Sequence, residues 1–439
     1  MGPRVRILIV SLSYFPALTA RAFRWTAIAE WLVAHGHHVD VVCAKVPGLV
    51  GLEVVNGVMI HRAGGSARES LKRWLARKSA PTMTSPGANG AASRPVRGRV
   101  GNVLRTVYGY TFQKVLWPDS TGFWYFPALR TARKLIEAKR HDIVISVSLP
   151  FTGHLVGLAL KRLHRVRWVV DIGDPFSFMS ETPVNNHRLF GRLNYRVESN
   201  VLKNADFVSV TTKETKTEYL KYFPNMPASK MTVIPPFFVE PTELDPLTQF
   251  FTGPPKIRLV FAGTLYSRIR NPAALLELFS SLLATPVGAR LELHFLGVIN
   301  DCEPYFAKYR KLIGTKVFLH GLVSRVSAVR AMKDATILVN IGNSTSYQLP
   351  SKVVEYMMLG KPVLNITKLA TDSSRNFFLQ CDGVCTVTEE ALSADATEFA
   401  RVKEFIENPP PFSQANVDRL TRVHGLEAIA DSYLDLFRG

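Results

Sequence analysis

The residues best suited to chemistry lie in Q-L-P-S-K-V-V-E-Y-M-M-L-G-K-P-V (348–363). Pro350 and Ser351 open a helix whose free N–H groups and positive dipole end suit a pyrophosphate, and Lys352 brings a cation to the same place. Glu355, one turn on, can accept bonds from ribose hydroxyls while the phosphates sit at the helix start. A second set is A-G-T-L-Y-S-R-I-R-N-P (262–272), which follows an apolar run ending at Phe261. There Gly263 permits a tight turn, and Arg268 and Arg270 precede another helix start, with planar forks matched to phosphate oxygens. In the first half, S-L-S-Y-F-P-A-L-T-A-R (11–21) lacks the G-x-G-x-x-G through which backbone approaches a dinucleotide, which argues against an NAD or FAD enzyme. Arg21 and Arg24 fall in the first turns of the helix that follows, placed to face a ligand.

These segments need elements to hold them. Short β-branched runs alternate with helical patterns along the chain, the mark of parallel βαβ units. Strands are expected at Val5–Val10, Val39–Val42, Ile143–Val147, Trp168–Ile172, Phe207–Val210 and Thr232–Ile234, with helices over Ala20–Ala34, Gly153–Leu163, Arg188–Lys203 and Glu214–Tyr222. Thr19 is a cap and Gly36 a stop for the first helix. Six prolines in residues 235–256 exclude a helix or central strand there and mark a linker. The alternation then restarts, with strands at Ile257–Phe261, Leu291–Phe295, Val317–Leu319, Ile337–Asn340, Pro362–Ile366 and Val384–Val387. Helices are expected at Pro272–Leu283, Glu303–Ile313, Val326–Lys333, Ser351–Leu359, Asp395–Ile406 and a final amphipathic stretch Gln414–Phe437. The fold class is therefore α/β. Two doubly wound, Rossmann-like domains are expected to face each other across a cleft at the carboxyl ends of their sheets.

Composition sets the outer bounds. The chain has 439 residues, 47% hydrophobic and 20% charged, which is globular and long enough for two or three domains. Four scattered cysteines do not make a disulfide framework, and Cys381 and Cys385 have no partners for zinc. No apolar run is long enough to span a bilayer, and the short I-L-I-V (7–10) reads as a first strand instead of a secretory signal. The net charge of +19 is uneven: residues 1–240 hold 33 Lys/Arg against 15 Asp/Glu, and the remainder 21 against 20. Residues 62–114 alone carry 11 basic side chains and one acid, with Trp74, Tyr108, Tyr110 and Phe112 interleaved and Trp117, Trp124, Tyr125 and Phe126 just beyond. Cations and aromatics in that mixture suit an anionic membrane surface. A solvated basic loop is the plainer alternative, and no nucleic-acid module is present.

The motifs together resemble glycosyltransferase family 4, the retaining nucleotide-sugar transferases of GT-B architecture, of the bacterial exopolysaccharide and O-antigen type. The resemblance rests on Y-F-P (14–16), R-W-T-A-I-A-E-W-L-V-A-H-G-H-H-V-D-V-V (24–42), W-V-V-D-I-G-D-P-F (168–176), V-I-P-P-F (233–237), F-A-G (261–263) and P-S-K-V-V-E-Y-M-M-L-G-K-P-V (350–363). It implies an N-terminal acceptor domain (1–235) with a basic membrane-facing insert (62–126), a linker (236–256), a C-terminal donor domain (257–411), and a last helix (412–439) packing back on the first domain. It further implies transfer of a hexosyl or N-acetylhexosaminyl group from a UDP- or GDP-sugar, used as co-substrate. The acceptor would be a lipid-linked saccharide at the inner face of the cytoplasmic membrane, with no essential metal or other cofactor and no nucleic acid as partner. Glu355 matches the second acid of the family's paired-glutamate motif, but Tyr347 stands where the first would be. Arg270 stands closest to the family's phosphate-binding Lys, and Thr264 replaces an Arg often found after the Gly, so Arg268 or Lys352 would substitute. His154 corresponds to the family's cleft histidine near the transferred sugar, and Asp174 to a position lining the acceptor side. Arg21 and Arg24 fall on that side too. Tyr347 and Thr264 keep two alternatives open: a non-catalytic GT-B protein that binds a sugar nucleotide or a partner transferase, and a GT-B UDP-sugar epimerase.

Overall fold

In a computed structural model of the chain, the structure describes residues 4–64, 116–179, 181, 183–241, 244, 248–411 and 414–438. Most of the basic stretch at 62–114 lies outside these, as do five residues of the proline-rich linker. The chain divides into two compact units, 1–209 with 222–232 and 210–221 with 233–439.

The first unit is built on an eight-stranded sheet in the order β3-β4-β2-β1-β5-β6-β7-β8. The elements along this part of the chain run β1 (Arg6–Val10), α1 (Ala20–Ala34), β2 (His38–Ala44), β3 (Leu52–Val55), β4 (Val58–Ala63), α2 (Tyr125–Lys139), β5 (Ile143–Ser148), α3 (Thr152–His164), β6 (Arg167–Ile172), α4 (His187–Asn204), β7 (Phe207–Val210), α5 (Lys213–Tyr222), which falls in the second unit, and β8 (Met231–Val233). The central strands are parallel, with Ile7 beside both Val39 and Ile143, and are apolar almost throughout because helices cover both faces. Thr19 Oγ1 accepts from Ala22 N at 3.2 Å, and Gly36 at φ 88° ends α1, as its sequence requires. In this unit three elements, the strands β3 and β4 and the helix α2, were not expected from the sequence. The β3–β4 hairpin turns at Asn56-Gly57, both at positive φ, which is the mirror-image turn that suits strand twist. Helix α2 begins inside the aromatic run at 124–126, with Pro127 tolerated in its first turn.

The second unit holds a six-stranded, all-parallel sheet in the order β11-β10-β9-β12-β13-β14, the doubly wound arrangement. Its elements are β9 (Ile257–Ala262), α6 (Ala273–Leu283), β10 (Leu291–Leu296), α7 (Glu303–Phe306), β11 (Val317–Gly321), α8 (Arg325–Asp334), β12 (Ile337–Ile341), α9 (Ser351–Met358), β13 (Val363–Thr367), α10 (Ser373–Phe378), β14 (Val384–Thr388), α11 (Glu389–Ala394), α12 (Ala396–Glu407), α13 (Gln414–His424) and α14 (Leu426–Arg438). The helix expected over Glu303–Ile313 is one short α-turn followed by a 3-10 segment, Ala307–Leu312. Phe306, Tyr309 and Leu312 all pack toward the core, and a repeat of three residues per turn aligns them where 3.6 would not. The final stretch is two helices separated at Gly425. Helix α9 is buried through Val353, Val354, Tyr356 and Met357, in one cluster with Val260 of β9, Leu338 of β12 and Leu420 of α13.

Candidate functional site

In the second unit, the loops leaving β9, β10 and β12 and the start of α9 are tied together at the carboxyl edge of the sheet. The Tyr356 hydroxyl accepts from Ala262 N at 2.9 Å and donates to Ala262 O at 3.2 Å, so α9 is pinned to the last residue of β9. Burial raises the Tyr356 phenol above its ordinary range, so it remains a donor at any working pH. Gly263 N then donates to Leu296 O at 2.8 Å, and Gly297, at φ 129°, lies so close that a Cβ there would sit 2.0 Å from Gly263 O. Tyr266 and Arg270 close the loop on themselves, Tyr266 N to Arg270 O at 3.1 Å and Arg270 N to Tyr266 O at 2.8 Å. That turn puts Arg268 at an exposed tip, with Ser267 anchored to the Asp301 carboxylate.

Arg270 points inward. A Cβ on Gly263 would stand 3.5 Å from its Nη1, and its Nη2 donates to Asn343 Oδ1 at 2.7 Å. Burial pulls the guanidinium below its ordinary pKa, while Tyr356, Asp372 and Tyr266 push it back up. Asp372 is fully buried; burial raises its pKa, and N–H groups of Ser374, Arg375 and Asn343 oppose that. Gly342 makes room for it, since a Cβ there would meet Asp372 Oδ2 at 2.8 Å. Arg270 Nε and Asp372 Oδ2 are both buried with no hydrogen-bond partner. Asn343 continues the chain of contacts: its Nδ2 donates to Gln348 O at 3.1 Å, and Ser373 Oγ donates to the same carbonyl at 2.7 Å. Two residues on, Pro350 opens α9 without a side-chain cap. Lys352 Nζ donates to Glu355 Oε2 at 2.6 Å, and Arg325 Nη1 lies 3.9 Å from Glu355 Oε1, so the buried carboxylate sits between two cations.

The first unit carries a separate buried polar cluster at the carboxyl ends of β5, β6 and β7. Asp171 accepts from Trp25 Nε1 at 2.9 Å and Ser209 Oγ at 2.8 Å, and pairs with Arg21 Nη1 at 3.2 Å. The Arg21 guanidinium lies directly over Gly173, where a Cβ would be 1.7 Å from Nη2. His154 lies in the first turn of α3, and its Nδ1 stands 2.8 Å from Ser146 Oγ, which accepts from Trp168 Nε1 at 2.9 Å. The indole only donates, which frees the serine proton for Nδ1. In that tautomer Nε2 carries the imidazole hydrogen, and it is buried with no partner. Burial is the main cause that lowers the His154 pKa to about 3, with Asp171 raising it and Arg21 lowering it, so the ring is neutral at physiological pH.

That shift has a consequence for stability. Between the ordinary histidine value of 6.5 and about 3, the unfolded chain binds a proton that the folded chain refuses. Stability is therefore lost as pH falls through this window, by up to about 1.4 kcal/mol per pH unit for one proton. The slope of unfolding free energy between pH 6 and 4 should be shallower by about one proton in His154→Gln, as read by urea titration at several pH values.

Both units are largely parallel sheets that gather polar side chains at their carboxyl edges. Residues 22–236 match the glycosyl transferase 4-like domain. The whole chain has the two-sheet α/β fold of GT-B glycosyltransferases. A sucrose-phosphate synthase from Thermosynechococcus elongatus is 16% identical, with a TM-score of 0.65 over 99% of this chain and 98% of its own. WaaG, a glycosyltransferase involved in lipopolysaccharide biosynthesis, is 13% identical with a TM-score of 0.57 over 99% and 100%. A trehalose-6-phosphate protein from E. coli, bound with UDP-2-fluoro glucose, is 11% identical with a TM-score of 0.60 over 99% of each chain. No curated protein matches the sequence.

Against this GT-B frame, the residues singled out in the sequence fall into three groups. Gly263, Arg270, Ser351, Lys352 and Glu355 are brought into one connected region, linked through Asn343, Gln348 and Tyr356. Thr264 is half-buried on the same loop, and Arg268 is at the exposed turn. His154 and Arg21 share the first unit's cluster, where Arg24 is buried on α1 and Asp174 is half-buried beyond Gly173. Sequence reasoning missed Asp171, Asn343, Asp372 and Arg325. It also missed the anchoring of Tyr347, whose main-chain carbonyl accepts from Thr212 Oγ1 at 3.0 Å and Thr215 Oγ1 at 2.7 Å.

Proposed function

We propose that this chain is a retaining glycosyltransferase that moves a hexosyl or N-acetylhexosaminyl group from a UDP- or GDP-sugar to a lipid-linked saccharide. The setting would be bacterial cell-surface or exopolysaccharide synthesis at the inner face of the cytoplasmic membrane. The observation that carries the reading is the Arg270 guanidinium, held by Asn343 and joined through Gln348 to the uncapped start of α9. A departing nucleoside diphosphate needs its growing charge met by donors already in place. Arg270, Lys352 and the first amides of α9 supply them, with Arg268 at the loop tip. Glu355 takes the ribose hydroxyls, and Lys352 turns from Glu355 toward phosphate as the donor arrives. In the first unit, neutral His154 offers an Nε2–H to a sugar hydroxyl. Arg21, Arg24 and Asp174 are assigned to the acceptor side.

A second reading, a non-catalytic sugar-nucleotide binder, is favoured by one feature. Where the family places a carboxylate, Tyr347 contributes a carbonyl already engaged by Thr212 and Thr215. Thermal-shift titration with UDP, GDP, ADP and their sugars tests what the two readings share. A nucleotide at 100 times its Kd should stabilise the folded chain by about 2.7 kcal/mol. If none of them raises the melting point, both readings fail. Release of free nucleotide in the presence of lipid-linked acceptor then separates transfer from binding alone.

A further inference from the structure

The outer face of α4 carries a pattern that donor chemistry does not use. Arg188, Arg192 and Arg196 recur every four residues with Leu189 and Leu193 beside them, and all five are exposed. At 100° per residue they fall within one arc of about 140°, opposite the buried Asn194, Glu198 and Val201. Leu189 is 63% exposed and Leu193 41%. Glu198, the one acid of α4, is turned inward, where it accepts from Ser177 N at 2.9 Å. Neighbouring α3 has no acid and exposes Arg162 and Leu163 near its end.

This face continues into an aromatic groove. Arg162 Nη2 donates to Asn200 of α4 at 3.0 Å, and Arg162 also borders a groove of about 340 Å³ walled by Trp117, Tyr125, Phe126, Leu155 and Leu158. Behind the groove, Trp117 Nε1 donates to Asn194 on the buried side of α4 at 3.1 Å. At the groove's edge Phe126 is 73% exposed and Phe123 60%. Arginines interleaved with leucines, beside two open phenylalanines and without an exposed acid on α3 or α4, leave a surface that water suits poorly.

We infer that the outer arc of α4, with the aromatic start of α2, lies against an anionic lipid bilayer. The charge complementarity is direct. Guanidinium forks engage lipid phosphates, while Leu189, Leu193, Phe123 and Phe126 enter the boundary between headgroups and acyl chains. None of the described helices is long and apolar enough to cross a membrane, so the contact is peripheral. The inference deepens the membrane part of the proposed function and rests on it only in taking the acceptor to be lipid-linked.

The test is sedimentation of the full chain with phosphatidylserine-rich vesicles and with pure phosphatidylcholine vesicles. The parent should bind the first and largely ignore the second. Loss of three arginines near an anionic leaflet should weaken partitioning roughly 100-fold in R188A/R192A/R196A. F123S/F126S should also bind less, but with the parent's dependence on salt, because the arginines remain. If the triple variant sediments like the parent, or the parent ignores anionic vesicles, the inference is overturned. Nucleotide thermal shifts on the same variants should match the parent. Failure of the donor reading would therefore show as absent shifts, whatever the vesicles report.

Discussion

Arg270→Ala should lower turnover by about 10²–10³-fold, the usual cost of removing one fixed donor from a developing charge. The guanidinium sits beside the Gly263 backbone and bonds Asn343, the side chain that also bonds Gln348 before α9. Removing it takes away the inward-facing cation and its attraction for Asp372, whose pKa burial already raises. That carboxyl should then stay protonated further toward neutral pH, so the variant folds with a modest loss of stability while losing donor affinity. Arg270→Lys keeps the charge but not the planar fork, and should recover only part of the activity. Steady-state kinetics with a donor identified by thermal shift, beside a melting curve for each variant, separates lost chemistry from lost fold.

The second large effect is expected at Gly297. Its φ of 129° disfavours any side chain, and a Cβ would lie 2.0 Å from the Gly263 carbonyl oxygen, where only backbone can yield. Gly297→Ala should therefore destabilise the chain by about 2–3 kcal/mol or more. It should also displace the 263–270 loop, and a shift of about 1 Å there can cost 100-fold in rate. Gly314→Ala is the matched control, since Gly314 has φ 83° but nothing within 4 Å of the added methyl. It should cost about 1 kcal/mol of backbone strain and leave activity intact. Equal losses in the two variants would show that strain alone, and not the approach to Gly263, governs this position.

How much could be read from the sequence depended on distance along the chain. Helix α9 was legible because its signals are local: Pro350 at the start, an apolar face through Tyr356, and Gly360 at φ 72° after the end. Arg270 was legible as a cation ahead of a helix, but not as the inward residue of a closed turn, because its hydrogen-bond partner Asn343 is 73 residues away. Asp372 and Asp171 looked like ordinary acids, and only the convergence of strand ends shows them to be buried among donors. The Tyr347 carbonyl is held by Thr212 across 135 residues, which no local pattern reveals. The β3–β4 hairpin was missed although its turn, Asn56-Gly57, is a purely local signal. Helix α2 was obscured by a run of aromatics that suggested surface instead of structure.

The most direct test is hydrogen exchange of the intact chain with and without a saturating UDP- or GDP-sugar. Slower exchange is expected at 263–270 and at the first turn of α9, 350–355, where the diphosphate would draw amides out of solvent. A nucleotide that binds tightly while both segments exchange as before, with protection appearing elsewhere, would contradict the assignment of the donor to this loop and helix start.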